Sequence, residues 1–445
     1  MRSKYLFLLI FFIAPGVALA ILPIQHWQTS TGARVYFVEN RDIPMLDLSI
    51  DFAGGSGFDR SEKAGVASMT NRIMRLGAEG MDQDEIARRT ADIGTAISGR
   101  FDSDRAGLSM RTLSSAAERE QALEVFTRIL HKPTFPAQAL DREKTRLIGA
   151  LKESDIQPGS IASRTFNQLM YGAHPYGLRN SGDIESVARI TRDDLTAYYR
   201  QHYGARGAVV AIMGDVSRDE ANAIAERITA GLPPEPATAS VLPPVEAKPE
   251  KVTRLIPHHA SQSHIYVGTI GIARGDPDYF PLFVGNYILG GGGFASRINE
   301  EVRQKRGLAY SAGGYFSPMA QKGPFVISMQ TRKDQAQEAL DVTLKTLRDY
   351  VANGPTEKEL KDAKTNLVGG FPLRIDSNRK IHEYLAVIGY YNLPLTYLDD
   401  FVGNIERVTI ADIRRAFTAR IDPDKLITVI VGAEGASEKA AAAPR

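Results

Sequence analysis

The chain of 445 residues contains no cysteine and only one tryptophan. Without thiols it can form neither a disulfide nor a thiolate-bound metal site, which suits an exported protein that avoids oxidative mispairing. Beyond residue 20 there is no apolar run near the ~20 residues that span a bilayer. Charge of one sign is also missing: 54 Lys and Arg are interspersed with 52 Asp and Glu, so no basic face is offered to nucleic acid. What remains is ordinary globular composition, 43% hydrophobic and 24% charged, in a chain long enough for two or more cores. Disordered and fibrous classes are excluded.

The first residues carry an address. Arg2 and Lys4 precede an apolar run over 5–13, Pro15 and Gly16 break it, and Ala18, Leu19 and Ala20 supply a small-x-small cleavage pattern. A secretory signal over 1–20, cut after Ala20, is expected. The apolar run is too short to stay as an anchor. The expected destination is the bacterial periplasm, with an extracellular one as the alternative, and no membrane span remains after cleavage.

The rest reads as two similar halves. Residues 34–38 and 45–52 alternate as strands and 54–57 close the second. Helices are expected at 65–77 and 84–93, a pair of strands within 95–110, helices at 116–130 and 137–153, and a mainly helical block over 160–202. An apolar strand at 208–213 and a helix at 218–230 end this half. Residues 231–250, rich in proline and alanine, read as a linker. The second half then gives a strand at 264–270, a helix at 279–289, a glycine turn at 290–293, a helix at 296–305, strands at 309–316 and 325–331, and helices at 335–353 and 356–369. Residues echo as well as elements: Ala122, Leu123 and Leu140 reappear as Ala339, Leu340 and Leu360, at an offset of about 220. The expected fold class is therefore α+β, with duplicated domains over 21–230 and 251–435, each an antiparallel sheet covered by helices, and a flexible tail over 436–445.

One segment is notable for chemistry it does not have. In 65–77, Val66, Met69, Ile73, Met74 and Leu76 form an apolar stripe beside Ser68, Asn71 and Arg72. Those three positions have the spacing of His-x-x-Glu-His, an inverted zinc-peptidase motif in which two histidines hold zinc and the glutamate activates water. Serine is a poor ligand, asparagine cannot accept the proton, and arginine brings a permanent charge. At ~4 Å and an effective dielectric of ~20, that charge opposes a dication by roughly 8 kcal/mol. The segment also reads simply as a buried amphipathic helix. His258, His259 and His264 fit no metal-ligand spacing and read as a solvated strand entry. No Gly-Lys-Ser/Thr follows the glycines Gly290, Gly291, Gly292 and Gly293, which excludes a phosphate-binding loop and leaves backbone flexibility or close approach.

Two stretches together resemble the pitrilysin, insulin-degrading enzyme and mitochondrial processing peptidase family over the whole mature chain. The first is Gly65, Val66 and Ala67 followed by the altered positions 68, 71 and 72. The second is 296–310, with Arg303 and Tyr310 seven residues apart. The resemblance implies two pitrilysin-like domains forming one half of a clamshell around a peptide chamber. It also implies a third zinc ligand, a glutamate, where this chain has Gly149 and Ala150, with Glu143 and Glu153 out of register. Ser68, Asn71, Arg72 and Ala150 are thus degenerate metal positions, and no zinc is expected in this chain. Arg303 and Tyr310 match the family residues that bind the substrate backbone and stabilise the tetrahedral intermediate, roles suited to a forked guanidinium and a phenol; apart from the resemblance they read as a surface arginine and a half-buried strand tyrosine. Gly290 to Gly293 would border the substrate chamber. The expected function is a non-catalytic, substrate-binding subunit that completes the site of a homologous zinc-binding partner in a heterodimer acting on peptides. The alternatives are a peptide-binding scaffold without hydrolytic role and a self-sufficient zinc peptidase with atypical ligands.

Overall fold

The computed structural model describes residues 23–233, 241–246 and 250–432. The expected signal at 1–20, the tail at 436–445 and much of the linker at 231–250 lie outside the described residues. The described part of that linker, 241–246, packs Leu242 and Val245 against Tyr171 and Tyr176.

The strands run β1 (Gln25–Gln28), β2 (Arg34–Glu39), β3 (Met45–Ala53), β4 (Gly77–Ala78), β5 (Met81–Asp82), β6 (Ala96–Phe101), β7 (Arg105–Leu113) and β8 (Val209–Gly214) in the first half. In the second half they are β9 (Val252–Ile256), β10 (Gln262–Ile270), β11 (Ala309–Phe316), β12 (Pro324–Arg332) and β13 (Ile427–Val431). The first sheet has the order β1-β2-β8-β3-β7-β6 and the second β11-β12-β10-β13-β9, with β4 and β5 a small hairpin apart. Both are antiparallel except for one pair each, β2 with β8 and β13 with β9. The expected antiparallel sheets are present, and in each half a strand reached across a long connection adds one parallel pair. Strands β1, β4, β5, β9 and β13, and the helices Asn378–Tyr390, Asp399–Arg407 and Ile410–Arg420, were not among the elements expected from the sequence.

The halves are interlocked rather than merely joined. On one face of the first sheet, Val35, Phe37, Leu46, Leu48 and Ile50 pack under the first half's own helices. On the opposite face, Tyr36, Val38, Val209, Ala211 and Met213 join a core supplied by the second half, including Leu385, Ala386 and Ile388 of the helix Asn378–Tyr390. The exchange is reciprocal. The first half's helix Pro158–Tyr171 sets Ala162, Phe166 and Met170 against Val326, Val429 and Val431 of the second sheet. Strand β8 is buried at every position because it is covered from both sides, as its unbroken apolar run requires.

The second half's helix also covers a polar row. Alternation along β3 puts Asp47, Ser49 and Asp51 opposite the apolar set, where solvent is expected, yet all three are buried. Their charges are met by arginines: Arg111 reaches Asp47 at 3.2 Å, and Arg100 bridges Asp51 and Glu383 at 2.9 Å each.

Asp104, in the turn between β6 and β7, ties the halves together. Its carboxylate accepts the Tyr176 hydroxyl, the Tyr391 hydroxyl at 2.7 Å and the Ala320 N–H at 2.8 Å, while its backbone carbonyl accepts the Tyr390 hydroxyl at 2.7 Å. Asp104→Ala would orphan several buried donors, so a loss of about 3 kcal/mol is expected in urea unfolding, against about 1 kcal/mol for Tyr391→Phe.

Candidate functional site

The helix Val66–Ile73 begins at Gly65, whose φ of +94° favours glycine and where a Cβ would meet the Ser181 carbonyl at 2.6 Å. Gly65 has no side chain to cap the helix, and Asp59 does so instead: its two oxygens accept the N–H groups of Gly65 at 2.7 Å and Ala67 at 3.0 Å. Burial pushes the Asp59 carboxyl up to about 7, against the pull of those two donors. Val66, Met69, Ile73 and Met74 are buried as their spacing predicts, and the helix ends in a tighter turn at Met74–Leu76 that leaves Leu76 half-buried.

Ser68, Asn71 and Arg72 do not converge. Asn71 is buried and gives its amide N–H groups to the Gly107 carbonyl at 2.8 Å and the Tyr203 hydroxyl at 3.3 Å. Arg72 points out and pairs with Glu143 at 2.5 Å. Glu143 lies on the helix Ala137–Asp155, which also carries Ala150, an exposed methyl with no donor atom. Ser68 lines a cavity of about 720 Å³ between the halves, with Tyr176, Arg179 and Tyr266 among the residues around it. The residues present here do not fit zinc: Ala150 has no donor atom, Arg72 is a cation, Asn71 is an amide already committed to the sheet, and the Ser68 hydroxyl is a poor ligand. Sequence register set Glu143 aside. In space it neutralises Arg72, so a guanidinium–carboxylate pair occupies this helix–helix contact.

Among the described residues no group of three or more His, Asp or Glu side chains is placed to hold a metal. His258 and His259 stack on each other with centroids 4.4 Å apart, and His258 Nε2 contacts the Ile156 carbonyl at 3.0 Å.

Arg303 and Tyr310 do come together. The guanidinium of Arg303 lies 4.8 Å from the centre of the Tyr310 ring and 4.6 Å from that of Phe294, between two exposed aromatics. Both backbones are irregular. The expected helix at 296–305 is wound wider than an α-helix over Asn299–Gln304, where the Lys305 N–H reaches back five residues to Glu300. Such π turns are rare and recur at functional sites. Tyr310 sits at a bulge: Ala309 pairs with Thr331 and Ser311 with Gln330, leaving Tyr310 opposite no residue and 80% exposed. Lys305 and Arg306 are neutralised by Glu300 and Glu301, whereas Arg303 meets no carboxylate among the described residues.

The glycines behave differently from the flexible turn expected at 290–293. Gly290 and Gly291 belong to a second π turn, Tyr287–Gly291, that extends the helix Tyr279–Asn286. A Cβ on Gly290 would lie 2.5 Å from the Gly314 nitrogen, so the residue serves close approach to β11. Gly292 and Gly293 lead through a short turn to Phe294. Phe294 is a site residue that sequence reasoning missed; an exposed phenylalanine directly after a glycine run was the available signal. The second half also repeats the first half's tie, with Asn286 Nδ2 donating to the Gly314 carbonyl at 2.9 Å as Asn71 does to Gly107.

Residues 34–181 match Insulinase (Peptidase family M16) and 189–367 match the Peptidase M16 inactive domain. The chain belongs to peptidase family M16. The crystal structure of a peptidase M16 inactive domain from Pseudomonas fluorescens is 38% identical, with a TM-score of 0.89 covering 93% of this chain and 99% of that one. The Non-peptidase homolog YmxG of Helicobacter pylori is 25% identical over 433 residues, 96% of this chain and 98% of its own. The Uncharacterized zinc protease YmxG of Bacillus subtilis is 25% identical over 354 residues, 80% and 85% of the two chains. No helix among the described residues is long and apolar enough to cross a membrane.

The turn carrying Arg303 is held down by Arg297, whose guanidinium grips both oxygens of Glu359 at 2.6 Å. Burial alone would raise the Glu359 carboxyl, but Arg297 and the N–H and hydroxyl of Thr356 bring it down to about 2. A carboxyl lowered by folding contributes stability above its unfolded value of about 4.5 and loses it as the pH falls towards 2. Glu359→Gln is therefore expected to lower stability by roughly 1–2 kcal/mol at pH 7, and by much less near pH 2.5, in paired urea titrations.

Proposed function

We propose that this chain is a non-catalytic, substrate-binding subunit of a periplasmic zinc metallopeptidase that degrades peptides or unfolded segments. In this reading Arg303 and Tyr310 complete the active site of a homologous partner subunit, which holds the zinc and supplies the general base. The observation that carries it is the contrast within the chain. The helix carrying Ser68, Asn71 and Arg72 is held by structural ties at Asn71 and Arg72, while Arg303, half-buried, and Tyr310, exposed, come together free of carboxylates at two separate backbone irregularities. Maintaining such irregularities at an exposed surface costs stability and is understandable where side-chain direction matters.

The division of labour follows from the residue types. The Arg303 guanidinium forks to a substrate backbone carbonyl, and the Tyr310 hydroxyl donates to the oxyanion developing at the scissile carbonyl. Neither residue lines the cavity beside Ser68, consistent with their facing a second chain. The names of two relatives, an inactive domain and a non-peptidase homolog, favour a chain silent by itself, and this chain is expected to bind no zinc. The periplasmic address rests on the basic, apolar and small-residue sequence of 1–20.

The test is hydrolysis of a mixed quenched-fluorescent peptide pool by the mature chain with excess zinc, alone and with a co-exported homologue bearing an intact His-x-x-Glu-His. Activity is expected only in the mixture, with Arg303→Ala lowering turnover about 100-fold and Tyr310→Phe about 10-fold or more, while size-exclusion chromatography still shows the complex. Hydrolysis by the chain alone would overturn the reading, and silence in the mixture would favour the peptide-binding scaffold.

A further inference from the structure

The second half contains a cavity of about 480 Å³ that this function does not use. It lies among the helix Tyr279–Asn286, the π turn that extends it, and the end of β11. Its apolar wall is aromatic: Tyr279 and Phe283 stack with centroids 5.8 Å apart, and Tyr287 and Phe316 add to the lining. Two guanidiniums share the space, Arg274, 5.2 Å from the Tyr391 ring centre, and Arg374, 5.7 Å from that of Phe283, and neither meets a carboxylate among the described residues. Arg274 Nε is buried without a hydrogen-bond partner, a costly condition that a ligand would relieve. Asn286 presents the complementary vacancy. Its Nδ2 is fixed by the Gly314 carbonyl, which turns Oδ1 the other way, and that oxygen is likewise buried and unpartnered.

An aromatic wall, two cations without a carboxylate and one free amide acceptor together specify a ligand. We infer that this cavity binds the C-terminal residue of a peptide carrying a large apolar or aromatic side chain. The α-carboxylate goes to Arg274 and Arg374, where charge-assisted bonds to a guanidinium are strongest. The terminal residue's backbone N–H donates to Asn286 Oδ1, and its side chain lies against Tyr279, Phe283 and Phe316. An internal aspartate or glutamate would satisfy the arginines but leave the aromatic wall and the amide acceptor unused. The volume suits one large residue and part of its neighbour. The inference rests on reading this chain as a peptide-binding protein and adds which end of the peptide it holds.

Fluorescence anisotropy of the mature chain with an N-terminally labelled decapeptide ending in phenylalanine tests it. The free-acid peptide is expected to bind about tenfold more tightly than the same peptide with a C-terminal amide. Arg274→Gln and Arg374→Gln should each remove most of that difference while keeping the wild-type melting temperature; Arg374 is exposed, so its variant serves even if Arg274→Gln folds poorly. Equal binding of acid and amide would overturn the inference, as would a difference that survives Arg374→Gln. Displacement of the peptide by an equal concentration of free phenylalanine would overturn the peptide assignment in favour of a free amino acid. Neither arginine touches Arg303 or Tyr310, so failure here alongside partner-dependent turnover sinks this pocket and leaves the proposed function standing.

Discussion

The structure depends on one buried anion. Asp104 sits in a tight turn of the first half, yet two of the groups satisfying its carboxylate, the Ala320 N–H and the Tyr391 hydroxyl, belong to the second. A carboxylate in that setting tolerates few arrangements, because any movement of one half against the other leaves it short of donors. The neighbouring Arg105 reinforces the constraint, lying 5.6 and 5.7 Å from the Tyr390 and Tyr391 ring centres while pairing with Asp102. Everything between the halves inherits this register, including the cavity beside Ser68 and the seating of the helix Asn378–Tyr390 on β8.

The helix Val66–Ile73 is pinned from two sides by polar side chains. Asn71 ties the helix to β7, and Arg72 ties it to the helix Ala137–Asp155 through Glu143. Charge that a metal centre would concentrate at one point is spread here over an arginine and a carboxylate. Asn286 makes an equivalent bond to β11 in the second half, so both halves pin this helix to the sheet through an asparagine amide.

Much of this was legible in the sequence, for identifiable reasons. Alternation and apolar spacing are local properties, so β3, β7, β12 and the helices around them fall close to expectation. The duplicated order and the Arg303 and Tyr310 pair were also readable. What failed was whatever depends on the other half or on departures from regular backbone. Asp47, Ser49 and Asp51 alternate like a solvent face and are buried only because a helix some 330 residues later in the chain covers them. Glu143 was out of register along the sequence and in contact across space. The π turns at Tyr287–Gly291 and Asn299–Gln304, and the bulge at Tyr310, leave the hydrophobic pattern almost unchanged, so nothing in that pattern announces them.

The reciprocal exchange of helices bears on what such a chain can lose. Each sheet keeps one face dry only with a helix encoded in the opposite half, so deleting either half would expose a broad apolar surface on the other. Whatever side chains the first half carries, a chain built this way cannot discard that half and stay folded. The unit that can be kept or lost is the pair of halves, since neither presents a closed core without the other.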